Sequence, residues 1–362
     1  MDFALTDDQK MMQDTIGRTL DRACPLERTR KAAAGKEPYA ADVWTALAEV
    51  GLAGLIIPEE HGGVGQTLMD AALAAEMLGR AVAPVPFVGS CVMAPLALMG
   101  AGTAAQQAAW LPKLAAGEVV AGAAVSEHAS GARDGAGVSA SGGRLTGKAM
   151  FALDAGGADL FVVADRDKGL HLVAGDAKGL ARTELNTIDA TRRVAELTLD
   201  NVEAEPLAAR DPAATLSRMI DAGRIVLAAD ILGAGGRMIE KAVTYAEERK
   251  QFGRVIGSFQ AVKHLCAEMV AELEPCRSLV WYAAYAFDAV PDEVALMAAH
   301  AKAHLSETGT FVARTATEVH GGMGFTDLLG LHYWFKRIGF DRQMLGGPER
   351  VRQDAAALQG WV

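Results

Sequence analysis

Cysteine is scarce in this chain of 362 residues: Cys24, Cys91, Cys266 and Cys276 are the only four, and no two form a C-x-x-C pair. Such spacing supplies neither a thiolate metal clip nor a redox dithiol, and no secretory leader is read at the start, so a reducing cytoplasm is the expected compartment. Bases are in deficit too, with 35 Lys and Arg against 45 Asp and Glu, a net charge of −10 and a pI near 5.4. A chain this acidic lacks the positive face that tracks a phosphate backbone, which argues against a nucleic acid partner. Between Arg80 and Lys113 charge is missing altogether. Long uncharged runs are how spanning helices declare themselves, yet Pro84, Pro86 and Pro95 with Gly89 and Gly100 break any helix of about 20 residues here. Buried connections and a short helix are expected instead, without membrane contact.

Apolar residues are plentiful. At 51% hydrophobic, 22% charged and a mean hydropathy of +0.14, the chain folds rather than staying disordered. Its length corresponds to roughly 2.4 domains of average size. Residues 1–118 read as a helical domain. Thr6 with Gln9 has capping-box form at the head of a helix towards Arg22. Trp44, Leu47 and Ala48 recur at helical spacing, as do apolar residues from Met69 to Arg80. From 119 to 208 glycine, serine and β-branched residues rise, and residues 160–164, 170–173 and 195–199 read as strands. No room is left between them for crossover helices, so a small, mostly antiparallel β-domain is expected. Residues 209–362 read as helical again, with one pattern from Ala213 to Arg249 and others near 258–287, 292–319 and 331–343. The fold class is α+β, in the order helical, β, helical.

Several patterns with catalytic associations lose to plainer readings. Gly233-x-Gly235-Gly236 lies inside a helical pattern without the preceding strand of a dinucleotide fingerprint, so the glycines mark a close approach by another backbone or a ligand. His300 and His304 share a helix face but lack a third ligand, and no metal site is expected. Ser126 and His128 lack the surroundings of a nucleophile elbow. Two segments are denser in function. Glu248-Arg249-Lys250-Gln251-Phe252-Gly253, followed by Phe259-Gln260, joins an arginine and amides that suit a diphosphate to an aromatic that covers a flat ring. Glu318-Val319-His320-Gly321-Gly322-Met323-Gly324-Phe325 offers paired glycines that let backbone approach a phosphate or sugar.

Together with Pro58-Glu59-Glu60-His61-Gly62-Gly63 and Glu76-Met77-Leu78-Gly79-Arg80, these segments resemble, in order and spacing, the signatures of the acyl-CoA dehydrogenase family of flavoproteins. The resemblance implies a helical N-terminal domain, a β middle domain and a C-terminal helical bundle. It also implies FAD lying between two subunits and an α,β-desaturation of an acyl-CoA thioester, with an electron-transfer flavoprotein as acceptor. Carried over residue by residue, it makes Arg249, Gln251, Phe252, Gln260, Gly321 and Gly322 contacts to the ADP portion of FAD. Glu318 stands where the family has Gln. Asp221 and Arg224 match the Asp-x-x-Arg element beside the thioester, and Met93, Met99, Trp281 and Tyr282 are candidates for either pocket or core.

The departures are as informative. The family's proton-abstracting glutamate occupies one of two places, and this chain has Gly346 in one and Gly223 in the other. Glycine accepts no proton. In the middle domain Val125-Ser126-Glu127 resembles the first flavin segment, but His128-Ala129-Ser130-Gly131-Ala132 replaces its Pro-Gly-x-Gly-Ser, and Phe151-Ala152-Leu153 stands for Trp-x-Thr. Thus the half of the site around the flavin ring is eroded and the half that reaches a partner's ADP is kept. The expectation is the smaller, base-lacking subunit of a hetero-tetramer of the bacterial steroid side-chain type. Two alternatives stand beside it. One is a homo-oligomer with a base relocated to Asp221, Glu318, Asp341 or Glu349, and the other is a non-catalytic scaffold.

Overall fold

The computed structural model describes residues 4–362, and it builds three layers around the longest helix. The N-terminal domain holds α1 (Asp7–Ala23), α2 (Leu26–Ala34), α3 (Ala41–Ala48), α4 (Leu68–Ala81), α5 (Ala94–Ala101) and α6 (Ala104–Ala115). The capping box is formed: Gln9 N–H donates to Thr6 Oγ1 at 3.2 Å and Thr6 N–H to Gln9 Oε1 at 3.1 Å. A second box, Thr103 with Gln106, starts α6. The charge-free run becomes one π-helical stretch, Val88–Met93, leading into α5, and all six of its residues are buried. No helix among the described residues is long and apolar enough to cross a membrane.

The middle domain is a pair of four-stranded sheets. Its elements are β1 (Ala121–Ala124), α7 (Ser126–Ser130), β2 (Gly137–Ser141), β3 (Arg144–Ala152), β4 (Leu160–Ala164), β5 (Leu170–Ala174), β6 (Leu180–Glu184), β7 (Ala195–Glu203) and β8 (Glu205–Leu207). One sheet runs β1-β4-β5-β8 and the other β2-β3-β7-β6. Only β1 and β4 pair in parallel. Strands β2, β3 and β6 are less apolar along their length than β4, because each exposes one face, and so their pattern is weaker in sequence. Leu145, Phe161, Val163 and Leu197 fill a small core of this domain's own.

The C-terminal domain consists of α8 (Pro212–Glu248), a two-residue ribbon β9 (Lys250–Gln251) with β10 (Arg254–Val255), α9 (Gln260–Ala289), α10 (Val294–His320), α11 (Leu331–Gln343) and α12 (Pro348–Leu358). Helix α8 is buried on every side from Met219 to Gly235, as a helix at the centre of a core must be. The glycine question is answered here. A Cβ at Gly233 would stand 1.8 Å from the Glu76 carbonyl oxygen, and one at Gly79 would stand 2.0 Å from that of Asp230. What passes close to α8 is the backbone of α4, so these glycines set helix packing and hold no ligand.

Candidate active site

Two regions of α8 carry the residues singled out in the sequence. At its C-terminal end Arg249 caps the helix, its N–H donating to the Tyr245 carbonyl at 2.9 Å. The Arg249 guanidinium is exposed and unpaired among the described residues, unlike Arg237, which meets Glu240 at 3.0 Å. Gln251, exposed in β9, donates from Nε2 to the Lys250 carbonyl at 2.8 Å. Phe252 sits at φ +52° with 92% of its surface open, its ring edge-on to Phe259 at 6.2 Å. Gln260 is the exposed first residue of α9. Tyr245 stacks on His320 with centroids 4.7 Å apart, which joins the last turn of α8 to the last turn of α10. That contact brings Glu318, exposed, and the Gly321-Gly322 turn to the same end of the bundle as Arg249.

The turn is open where a diphosphate would need it to be. Gly253 and Gly321 take φ values of +79° and +57°, and a Cβ built on Gly253, Gly321 or Gly322 meets nothing within 4 Å. An exposed cation, an open aromatic face and glycine backbone free of side chains form a donor set suited to the ADP portion of a dinucleotide.

The second region lies 26 residues earlier on α8, roughly 39 Å away at helical rise, which is farther than one extended dinucleotide reaches. Here a cavity of about 610 Å³ opens between the middle domain and the C-terminal helices. Ser126, Glu127, Arg133, Phe151, Gln343 and Leu345 are among its lining. Ser126 Oγ donates to the Phe151 carbonyl at 3.1 Å, and Glu127 Oε1 accepts from the Met150 N–H at 2.6 Å. Burial raises the Glu127 carboxyl above its ordinary range. His128 is turned away, bonded to the Asp165 carbonyl at 2.7 Å.

Both places where the resemblance puts a base are closed. A Cβ at Gly223 would stand 2.4 Å from Leu345 Cδ1 and 3.2 Å from Met93 Sδ, so the leucine fills the space a glutamate would need. Leu345 itself sits at φ +54°, a conformation that is uncommon for a residue other than glycine. Gly346 has φ +102°, and a Cβ there would meet Val351 Cγ2 at 3.0 Å and the Ala129 carbonyl at 3.1 Å. Two buried cations fix this loop from behind. Arg224 donates to the Leu345 carbonyl at 3.0 Å and the Ala129 carbonyl at 3.3 Å and pairs with Asp354 at 2.7 Å. Lys302 donates to the Arg342 and Gly346 carbonyls at 2.9 and 3.2 Å, and burial pulls its ammonium down to about 7. Arg224, the substrate-side candidate, therefore spends its Nε and Nη2 on the loop and on α12. Met93 is likewise core, fully buried beneath Gly223.

The relocated-base candidates scatter. Asp221 is buried, its carboxyl pushed up to about 6 by burial against the pull of Arg224 and Arg218, but it does not line the cavity. Glu318 belongs to the Arg249 end. Glu349 is exposed and pairs with Arg342 at 3.2 Å, with its carboxyl below the ordinary range. Asp341 is fully buried beside a network that sequence reading did not foresee, with neither carboxyl oxygen hydrogen-bonded among the described residues. Arg337 Nε donates to Asp189 at 2.6 Å, its Nη2 to Thr191 Oγ1 at 2.5 Å and to the Ala83 carbonyl at 3.1 Å, and its Nη1 to Asp230 at 3.4 Å. Arg192 pairs with the same Asp230. Burial and then the Asp230 charge push Asp341 well above the carboxylate range, so it keeps its proton, and two cations face two anions. A carboxyl raised in the folded state stabilises below its unfolded value and loses that stabilisation as pH rises. Asp341→Asn is therefore expected to flatten the fall in stability from pH 4.5 to 8, measured by urea unfolding. A variant curve parallel to the parent curve would contradict this.

With the geometry in place, comparison with known proteins is decisive. The N-terminal domain of acyl-CoA dehydrogenases matches residues 6–118 and their C-terminal domain matches residues 213–357. The acyl-CoA dehydrogenase IpdE2 of Mycobacterium tuberculosis is 32% identical over 346 residues, covering 95% of each chain. The chain belongs to the acyl-CoA dehydrogenase family. Acyl-CoA dehydrogenases are FAD-dependent oxidoreductases acting on acyl-CoA, and their three-layer α+β architecture is the one described above. Among solved structures, a variant of the Tcur3481–Tcur3483 steroid acyl-CoA dehydrogenase is similar with a TM-score of 0.88 at 30% identity, covering 98% of both chains. The ChsE4–ChsE5 complex from M. tuberculosis is similar with a TM-score of 0.91 at 26% identity over the full length of both.

Proposed function

We propose that this acyl-CoA dehydrogenase is the base-lacking subunit of a hetero-oligomer, one that completes FAD sites whose catalytic glutamate belongs to a second chain. The observation that carries the reading is steric. Leu345 Cδ1 occupies the space above Gly223, and a side chain at Gly346 would meet Val351 Cγ2 at 3.0 Å and the Ala129 carbonyl at 3.1 Å on a backbone at φ +102°, so the surroundings favour glycine at both base positions. The opposite end of α8 is built for a ligand. Arg249 supplies a fork of donors to a diphosphate, Gly253, Gly321 and Gly322 admit it closely, and Phe252 offers its ring. Glu318, an anion at that turn, weakens one contact where the family has an amide donor. Bound FAD supplies the two-electron acceptor for the α,β-desaturation, while the chain's own contribution is to hold and orient the ADP portion. The roughly 39 Å along α8 between Gly223 and Arg249 supports a cofactor shared between subunits. Similarity to a steroid acyl-CoA dehydrogenase and to a two-component complex supports a bulky acyl-CoA substrate and an unlike partner.

Purification alone and with the product of the neighbouring gene provides the test. FAD retention and thioester desaturation are expected only in the joint assembly. Full FAD occupancy and turnover by this chain alone would sink the reading.

A further inference from the structure

A smaller cavity, of about 290 Å³, opens where α1, the start of α2, the end of α4, α8 and α11 meet. None of its lining residues belongs to the segments matched to FAD or to the thioester. Its floor is apolar. Leu20 and Cys24 are buried, and Leu26, Met77 and Ala81 stand half-buried around them. The buried Trp334 indole is held in a fixed orientation, because its Nε1 donates to the Arg80 carbonyl at 2.8 Å.

Positive charge gathers on one wall. Arg80 and Arg237 both pair with Glu240, the second at 3.0 Å, so two guanidiniums share one carboxylate. Lys241, one turn further along α8, stands with its ammonium 4.9 Å from the centroid of the Trp334 ring and meets no carboxylate within ion-pair distance among the described residues. Burial, with the repulsion of Arg237 and Arg30, pulls that ammonium below the ordinary lysine range. Arg30 is itself paired with Glu27 and Asp327. Against the three cations of the wall stand Glu240 and, exposed at the rim, Asp21, which leaves one positive charge unmatched. A half-buried cation without a counter-ion has lost hydration that a bound anion restores. We propose that this cavity binds a monocarboxylate with a short alkyl chain, the carboxylate on Lys241 and Arg237 and the chain against Leu20, Leu26 and Met77. A carboxylate fits an arginine fork and carries the single charge the wall leaves over, whereas a phosphate ester carries more. The proposal is independent of the subunit role, since it uses no residue of the FAD or thioester segments.

Isothermal titration calorimetry of the full chain, in whatever oligomer it purifies, tests this with hexanoate beside acetate, 1-hexanol and hexyl phosphate. Hexanoate is expected to bind at least tenfold more tightly than acetate, which lacks the chain, and than 1-hexanol, which lacks the charge. Lys241→Met is expected to weaken hexanoate tenfold or more without lowering the melting temperature of the free protein, because it removes a half-buried charge that has no partner. Ala81→Leu, which fills the cavity from α4 and leaves every charge in place, is expected to weaken hexanoate by a similar factor. Saturating ADP, a probe for the Arg249 end, is expected to leave hexanoate binding unchanged. Hexanoate binding no tighter than 1-hexanol or acetate, hexyl phosphate binding more tightly than hexanoate, an unchanged affinity in either variant, or displacement by ADP would each overturn the proposal.

Discussion

Arg337→Met is expected to destabilise the protein by about 3–5 kcal/mol, the cost of breaking a buried charge pair by removing one partner. The side chain is fully buried, and its five N–H donors are spent on Asp189, Asp230, Thr191 and the Ala83 carbonyl. Those partners come from the loop before β7, from α8 and from the segment after α4, so one fork ties all three layers together. Removing it leaves Asp189 without a cation and Asp230 with Arg192 alone. Arg337→Lys keeps the charge but loses the fork, and a smaller but still large loss is expected. Urea unfolding at pH 7 measures both. A loss below about 1 kcal/mol for the methionine variant would show that the network stabilises little.

Arg249→Gln should act on the cofactor and leave the fold alone. An arginine holding a diphosphate makes charge-assisted hydrogen bonds of about 1.5–3 kcal/mol, which is roughly a tenfold to hundredfold weakening of FAD binding in the assembly. Because the guanidinium is exposed and unpaired among the described residues, the melting temperature of the FAD-free protein should not move. Visible absorbance after gel filtration at graded FAD concentrations gives the affinity. A change under threefold would remove Arg249 from the cofactor site. A lowered melting temperature without FAD loss would make it a structural cap only.

Much of the architecture was legible because it is encoded locally. Thr6 with Gln9 started α1 where the capping pattern put it, and α4, α8 and α11 follow their apolar spacing to within a residue or two. Strands β4, β5 and β7 were read, while β2, β3 and β6 were not, since partly exposed strands carry a diluted pattern. The 11-residue helix α12 and the second capping box at Thr103 also went unread. Lys302 had a signal that was passed over, a lysine on the alanine-rich, buried face of α10.

By itself the sequence determined the order of layers, the family, the absence of a glutamate at positions 223 and 346, and the retention of Arg249 and the Gly321-Gly322 turn. Only the tertiary structure decided what those absences mean. Gly223 and Leu345 are 122 positions apart in the chain, and nothing local to either says that one fills the other's space. Likewise, Arg224 resembles a substrate contact in sequence, and only the structure shows that its Nε and Nη2 hold two carbonyls and Asp354, because burying its charge requires partners that long-range packing alone can bring. Local free energies fix helices and turns. Which polar groups remain free for a ligand is settled only after every buried donor has found its acceptor.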